Sequence, residues 1–199
     1  MFKYTIAAAP SAMIQNPALP TPKEIAKDLR LLEVMHYDFF GAIKTGYIIG
    51  HTFVLGDMLY FFRKAYKLRF PIHSVIPVSY FDWDDDASCA ANNSSGHNMR
   101  HIAGSQRFSL HSIGCAYDIN PRQNPCFDLT DGLVYQRTIP ENGVYVPGTP
   151  GTLQRAHPLV RSMVKRRWTW GGGWDFPIDN QHLQKNRDRL PPELASWVK

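Results

Sequence analysis

The sequence predicts a mixed chain of helices and short strands, on three observations. Residues 55–66 carry an apolar stripe at helical spacing. Residues 37–49 and 72–80 are rich in aromatic and β-branched side chains broken by glycine or proline, the usual make-up of short strands. Residues 115–119, Cys-Ala-Tyr-Asp-Ile, read as a brief buried strand that follows a glycine.

Along the chain, Pro10, Pro17, Pro20 and Pro22 punctuate a lead-in expected to run as coil over the surface. Residues 1–22 are accordingly read as an N-terminal extension, and residues 23–199 as a single domain. Thr21-Pro22-Lys23-Glu24 resembles a helix start, with Thr as cap, Pro in the first turn and Glu three on. Ile25, Leu29 and Leu32 would then share one face of that helix. Gly41 and Gly46 break residues 37–49 into short strands or a hairpin arm. In the next helix Leu55, Met58, Leu59, Phe62 and Tyr66 face the core, while Arg63, Lys64 and Lys67 face water, and Pro71 closes it. Residues 72–80 suit an edge strand, because Pro77 has no N–H to give to a ladder.

The next stretch, 81–98, is acidic and then polar. Its Asp run lacks the register and closing Glu of an EF-hand loop, so calcium is not expected. Residues 122–152 are rich in proline and glycine and read as a long loop that would rim a substrate cleft. Leu159, Val160, Met163 and Val164 mark a third helix, with Lys165, Arg166 and Arg167 at its negative end. Residues 191–197 read as a short docked tail.

At 199 residues, 44% hydrophobic and 20% charged, the chain can bury a substantial core. No apolar run approaches the roughly 20 residues of a membrane span. The apolar part of the N-terminus is too short and interrupted for a signal peptide. A formal charge of +5 suits an anionic polymer. The basic residues are dispersed apart from Lys165-Arg166-Arg167, read as a solvated helix end, and no nucleic-acid-binding motif is recognisable. Cys89, Cys115 and Cys126 form no C-x-x-C pair and no disulfide framework, and Cys115 sits where a small buried residue is needed.

Two segments carry chemistry. The first, residues 109–121, contains His111 and Asp118; the second, residues 170–182, contains Asp179 and His182 among three glycines and two tryptophans. Two imidazoles and two carboxylates are the inventory of a catalytic zinc site: three N or O ligands, one open position and a nearby base. His111, Asp118 and His182 are the candidate ligands and Asp179 the candidate base. His111 and Asp118, seven apart, point to opposite faces of any continuous strand, so a turn must separate them, and Gly114 can supply it. Asp179 and His182 converge only if Asn180-Gln181 form a tight turn. The spacing is compatible with one site. It is equally compatible with hydrogen-bonded structural histidines and an Asp-x-Asn-Pro turn.

The pattern Ser109-x-His111-x-x-Gly114-x-Ala116-x-Asp118-x-Asn120-Pro121, followed downstream by Trp170-Gly171-Gly172 and Asp179-x-x-His182, resembles the zinc peptidases of family M15. These are the VanY/VanX-type D-alanyl-D-alanine carboxypeptidases and L-alanyl-D-glutamate endopeptidases. The likeness extends upstream through Asp85-Asp86-Ala87-Ser88 and residues 92–100, about half of the chain. It implies an α+β fold: a small, mostly antiparallel sheet with flanking helices, shared with the hedgehog group. It implies Zn2+ as cofactor, peptidoglycan stem peptides as partners, and a monomer working in the cell envelope or periplasm, or released by lysis.

In that setting Asp179 takes the water proton, and Arg100 holds the developing oxyanion or a substrate carboxylate. Trp170 and Trp174 wall the pocket, and the glycines let backbone approach metal or substrate. His97 and His101 are extra imidazoles, one of which would line the cleft, while His36, His51, His73 and His157 are structural. Asp at position 179, where many carboxypeptidases of the group have Glu, leans towards the endopeptidases. Leu183-Gln184 departs from a common Phe-Glu and is read as a packing change. The alternatives are a carboxypeptidase and a non-catalytic, hedgehog-like zinc-binding module.

Overall fold

The computed structural model of the chain describes residues 1–128 and 137–199. The lead-in is not all coil. Strand β1 (Tyr4–Ala8) and the single-turn helix α1 (Ser11–Ile14) lie within it, and a second short helix, α2 (Lys23–Ala26), follows. Next come two nine-residue strands, β2 (Leu29–Tyr37) and β3 (Ile43–His51). They form an antiparallel hairpin paired along its whole length, and β1 adds to the free side of β2. The expected helix with Ile25, Leu29 and Leu32 on one face therefore does not form. A two-turn helix would satisfy few backbone groups, whereas β2 is paired on both sides. Thr21 does not cap α2 but is buried, and Pro22 occupies the cap position.

Helix α3 (Leu55–Leu68) forms as its stripe predicts. Its buried residues are Leu55, Met58, Phe61, Phe62 and Ala65, with Leu59 half-buried against the core; Phe61 and Ala65 are inward residues that the stripe did not include, and Tyr66 is only half-buried. It stops where Arg69 turns left-handed at φ 52°, just before Pro71. Of residues 72–80 only β4 (Ser74–Val75) is extended, and a 3-10 turn at Val78–Phe81 follows Pro77. The acidic run opens helix α4 (Asp85–Ala90), where the Asp84 carboxylate accepts the Ala87 N–H at 3.0 Å. Strand β5 (Asn93–Ser94) then pairs in parallel with β4.

The later chain contributes β6 (Ala116–Asp118), β7 (Cys126–Asp128), β8 (Arg137–Ile139), α5 (Pro158–Lys165), β9 (Trp168–Trp170), β10 (Ile178–Asp179), β11 (His182–Lys185) and α6 (Pro192–Ala195). Two more antiparallel sheets result, in the orders β6-β11-β9 and β10-β7-β8. Residues 122–152, read from sequence as one loop, thus contain two strands; the part of that expectation at 129–136 lies outside the described residues. The class is α+β, with the strands of the described residues divided among four small sheets, three of them antiparallel.

An aromatic line ties the helical layer to the site. Phe61 on α3 meets Tyr117 on β6 at 5.2 Å between ring centroids, and Tyr117 meets Trp168 on β9 at 5.1 Å. All three rings are fully buried, and removing one such ring costs about 3–5 kcal/mol. Asp57 on α3 stitches the same elements at their edge. It accepts from Trp168 Nε1 at 2.9 Å and pairs with Lys185 at 2.9 Å and Arg166 at 3.0 Å. Asp118, next in sequence to Tyr117, therefore sits at the end of a strand clamped from both sides. The three cysteines are buried and free, and no helix among the described residues is long and apolar enough to cross a membrane.

Candidate metal centre

His111 and Asp118 meet because the chain reverses between them. Gly114 has φ +66°, and its N–H donates to the His111 carbonyl at 3.0 Å. A Cβ there would lie 2.7 Å from the His51 nitrogen, so both the backbone angle and the space demand glycine. The two-residue turn at Asn180-Gln181 does the same for the second segment. It is pinned by Asn180 Nδ2 to the Pro125 carbonyl at 3.0 Å and by Trp170 Nε1 to the Asn180 carbonyl at 2.8 Å. β11 then pairs with β6 in a register that sets His182 opposite Asp118.

The result is one buried cluster. His111 Nε2 lies 3.2 Å from Asp118 Oδ2 and 3.2 Å from His182 Nδ1, and His182 Nδ1 lies 3.0 Å from Asp118 Oδ1. All three side chains are at most 8% exposed. The other nitrogen of each ring is committed elsewhere: His111 Nδ1 donates to the Gly96 carbonyl at 2.6 Å, and His182 Nε2 donates to Gln184 Oε1 at 3.1 Å. Both acceptors require an N–H, so in the neutral rings the two inward nitrogens carry lone pairs. Two lone pairs facing a carboxylate at hydrogen-bond distance repel one another unless positive charge lies between them. The donor set therefore fits a divalent cation. The shifts of the cluster by itself show only that Asp118 draws positive charge towards it. Burial alone would raise the Asp118 carboxyl, yet His111 and His182 hold it well below the usual range. Burial would lower His182, and the bond to Asp118 raises it instead.

Asp179 stands on β10, opposite Cys126 of β7. Its Oδ1 is buried with no hydrogen-bond partner among the described residues. Burial, reinforced by Asp118, pushes its pKa up to about 6 against the opposing influence of His182, His111 and Arg100. Gly171 makes room for this strand: a Cβ there would lie 2.6 Å from the Asp179 carbonyl. Its neighbour Gly172 packs against the Trp170 indole, so these glycines serve protein packing. Trp174 lies 5.4 Å from the His182 ring, whereas the Trp170 indole is spent on the Asn180 turn.

Arg100 is 31% exposed along its side chain and pairs with Asp85 at 3.2 Å, while its Nε is buried with no partner among the described residues. Its backbone N–H donates to Ser112 Oγ at 3.0 Å, which ties it to the loop that carries His111. Residues 137–141 line a cavity of about 370 Å3 with Asp86 and Ala90, and the Arg137–Asp86 ion pair at 2.6 Å spans it.

Sequence reasoning missed three supports. Gln184 orients His182, so its difference from the common Glu is more than packing; the clue was alternation, since residues two apart on a strand share a face. The Gly96 carbonyl orients His111, and a Cβ at Gly96 would lie 2.2 Å from the Ile49 carbonyl. His97 does not line the cleft: it is buried, with Nδ1 donating to the His111 carbonyl at 3.1 Å and Nε2 3.1 Å from the Thr21 hydroxyl. Burial lowers its pKa to about 4, which keeps it neutral. No signal in the sequence marks either of these last two contacts. His101 stacks on Phe108 at 4.6 Å, His36 and His51 are buried, and His157 caps α5 by accepting from the Leu159 N–H at 3.2 Å.

Residues 103–185, which include His111, Asp118, Asp179 and His182 but not Arg100, match a peptidase M15 family described as D-alanyl-D-alanine carboxypeptidase. Comparison with curated proteins and with solved structures gave no match.

Proposed function

We propose that this member of peptidase family M15, matched over residues 103–185, is a zinc-dependent hydrolase of peptidoglycan stem peptides that cuts between L-alanine and D-glutamate. The match to a family described as D-alanyl-D-alanine carboxypeptidase supports a peptidase that acts on peptidoglycan. The observation that supports the zinc in this reading is the buried His111–Asp118–His182 cluster. A tetrahedral zinc with bonds of about 2.0–2.1 Å needs donors about 3.3 Å apart. The three separations here are 3.0–3.2 Å, and no thiolate is among the donors. Among the described residues three protein ligands are offered, which is the arrangement of catalytic rather than structural zinc.

When bound, zinc supplies Lewis acidity and makes water in the open position acidic near neutral pH. The chain's own groups do the rest. Asp179, desolvated and free at Oδ1, takes the proton of the attacking water and hands it to the leaving amine. Its raised pKa, about 6, suits both halves of that transfer at neutral pH. Arg100, held by Asp85, directs its guanidinium at the carbonyl oxygen as negative charge builds there. Trp174 walls the site beside His182. Asp rather than Glu at 179 supports the endopeptidase specificity. The description of the matched family favours a second reading, release of terminal D-alanine.

Digestion of purified peptidoglycan with and without a chelator, followed by mass analysis, decides between them. New N-terminal D-glutamate is expected. Released D-alanine would establish the carboxypeptidase instead, and the absence of any chelator-sensitive product would leave a zinc-binding module without turnover.

A further inference from the structure

Helices α3 and α5 enclose a groove of about 490 Å3 formed by residues outside the metal cluster. Tyr60 and Lys64 come from α3; Arg161, Ser162, Lys165 and Arg166 come from α5 and its C-terminal end. Four cations thus face one concavity. Arg166 pairs with Asp57 at 3.0 Å and lies over the Tyr60 ring, 3.8 Å from its centroid. Lys64, Arg161 and Lys165 have no carboxylate partner among the described residues. Arg161 and Lys165 stand one helical turn apart, an arrangement of like charges that weakens a helix. The surplus is large for a chain whose formal net charge is +5. The Tyr60 phenol registers the field: burial would raise its pKa, but Lys64 and Arg166 lower it.

The same groove is poor in other recognition chemistry. Its one aromatic ring, Tyr60, already has the Arg166 guanidinium at 3.8 Å and the Lys64 ammonium at 5.9 Å from its centroid, so it is not a free platform for a base or a sugar. The Ser162 hydroxyl is buried and donates to the Leu159 carbonyl at 2.7 Å. What remains on offer is positive charge and the donor fork of Arg161, which suit phosphate oxygens. We infer that the α3–α5 groove binds a phosphodiester polymer that lacks bases, of the alditol-phosphate kind. That this polymer belongs to a cell wall rests on the peptidase reading above; the binding itself does not.

The test uses the full chain, zinc-loaded, and a labelled poly(glycerol phosphate) of about ten phosphates, with single-stranded DNA of equal phosphate number as the competing class. Affinities are measured by fluorescence anisotropy between about 50 and 200 mM salt. The Arg161→Glu/Lys165→Glu variant alters two exposed side chains, and circular dichroism and zinc content verify its fold. Expected are salt-dependent binding of the glycerol polymer, a loss on the order of tenfold or more in the variant, and DNA bound no more tightly than the polymer. Hydrolysis of a small soluble stem peptide should be unchanged in the variant, which separates this site from the metal centre. Three results would each overturn the inference: no binding of the polymer by the wild type, wild-type affinity in the variant, or DNA bound more tightly than the polymer.

Discussion

Replacing Asp179 by Asn removes one negative charge while nearly keeping the side chain's shape, and the structure sets two magnitudes for the outcome. The first concerns turnover. A positioned general base contributes about 10²–10⁴-fold, equivalent to about 3–5 kcal/mol of barrier. Asp179→Asn should therefore lose two to four orders of magnitude in kcat with zinc content unchanged. The second concerns stability of the metal-free protein. Burial moves this carboxyl from 3.8 to about 6, so the folded state holds the proton more tightly than the unfolded chain does. Wild-type stability must then fall as pH rises through that interval and level off above it. At about 1.4 kcal/mol per pH unit, the full penalty above pH 6 is about 3 kcal/mol. The Asn variant has no such charge, so it should be more stable than wild type at pH 7.5 by up to that amount. The gap should close by pH 4. Urea denaturation of metal-free protein at the two pH values, together with peptide turnover and metal analysis of zinc-loaded protein, measures all three quantities. Wild-type turnover in the variant would remove Asp179 from the chemistry. A stability difference independent of pH would show that its carboxylate is not the strained, desolvated group described here.

His182→Ala should abolish both metal binding and turnover, because it removes one of only three donors; metal analysis after dialysis checks this. Gln184→Ala leaves all three donors in place but frees the His182 ring, and should weaken metal binding by about 10–100-fold in a competitive chelator titration. Gly114→Ala meets both an unfavourable φ and the His51 nitrogen, and should cost at least about 1–3 kcal/mol in denaturant unfolding, with a matching loss of metal affinity.

The residues of the candidate metal centre were legible to different degrees. Spacing and residue type left His111, Asp118 and His182 open to structural roles, and the resemblance to family M15 singled them out; Gly114 and Asn180-Gln181 make the turns that bring them together. Helix α3 was equally open to reading, since its stripe repeats over 14 residues. The first sheet was not. The sequence of β2 places Leu29 and Leu32, three apart, inward, a spacing that a helix starting near Thr21 accounts for just as well until β3 is there to pair with it. Short strands such as β4 and β8 carry too few residues for any period to register. The supports around the histidines were hidden for another reason: Gly96 acts through a backbone carbonyl, and backbone atoms are the same in every residue.

Thr21 reaches His97, and His97 in turn holds the peptide of His111, so the opening residues of the chain lean from behind on the loop that carries His111. A shortened form starting at residue 23 would discard that brace along with the outermost strand of the hairpin sheet. On the proposed zinc reading, it would keep all three ligands and still grip the metal less firmly. A site assembled from residues 111–182 would then depend on contacts made by the first twenty-two residues.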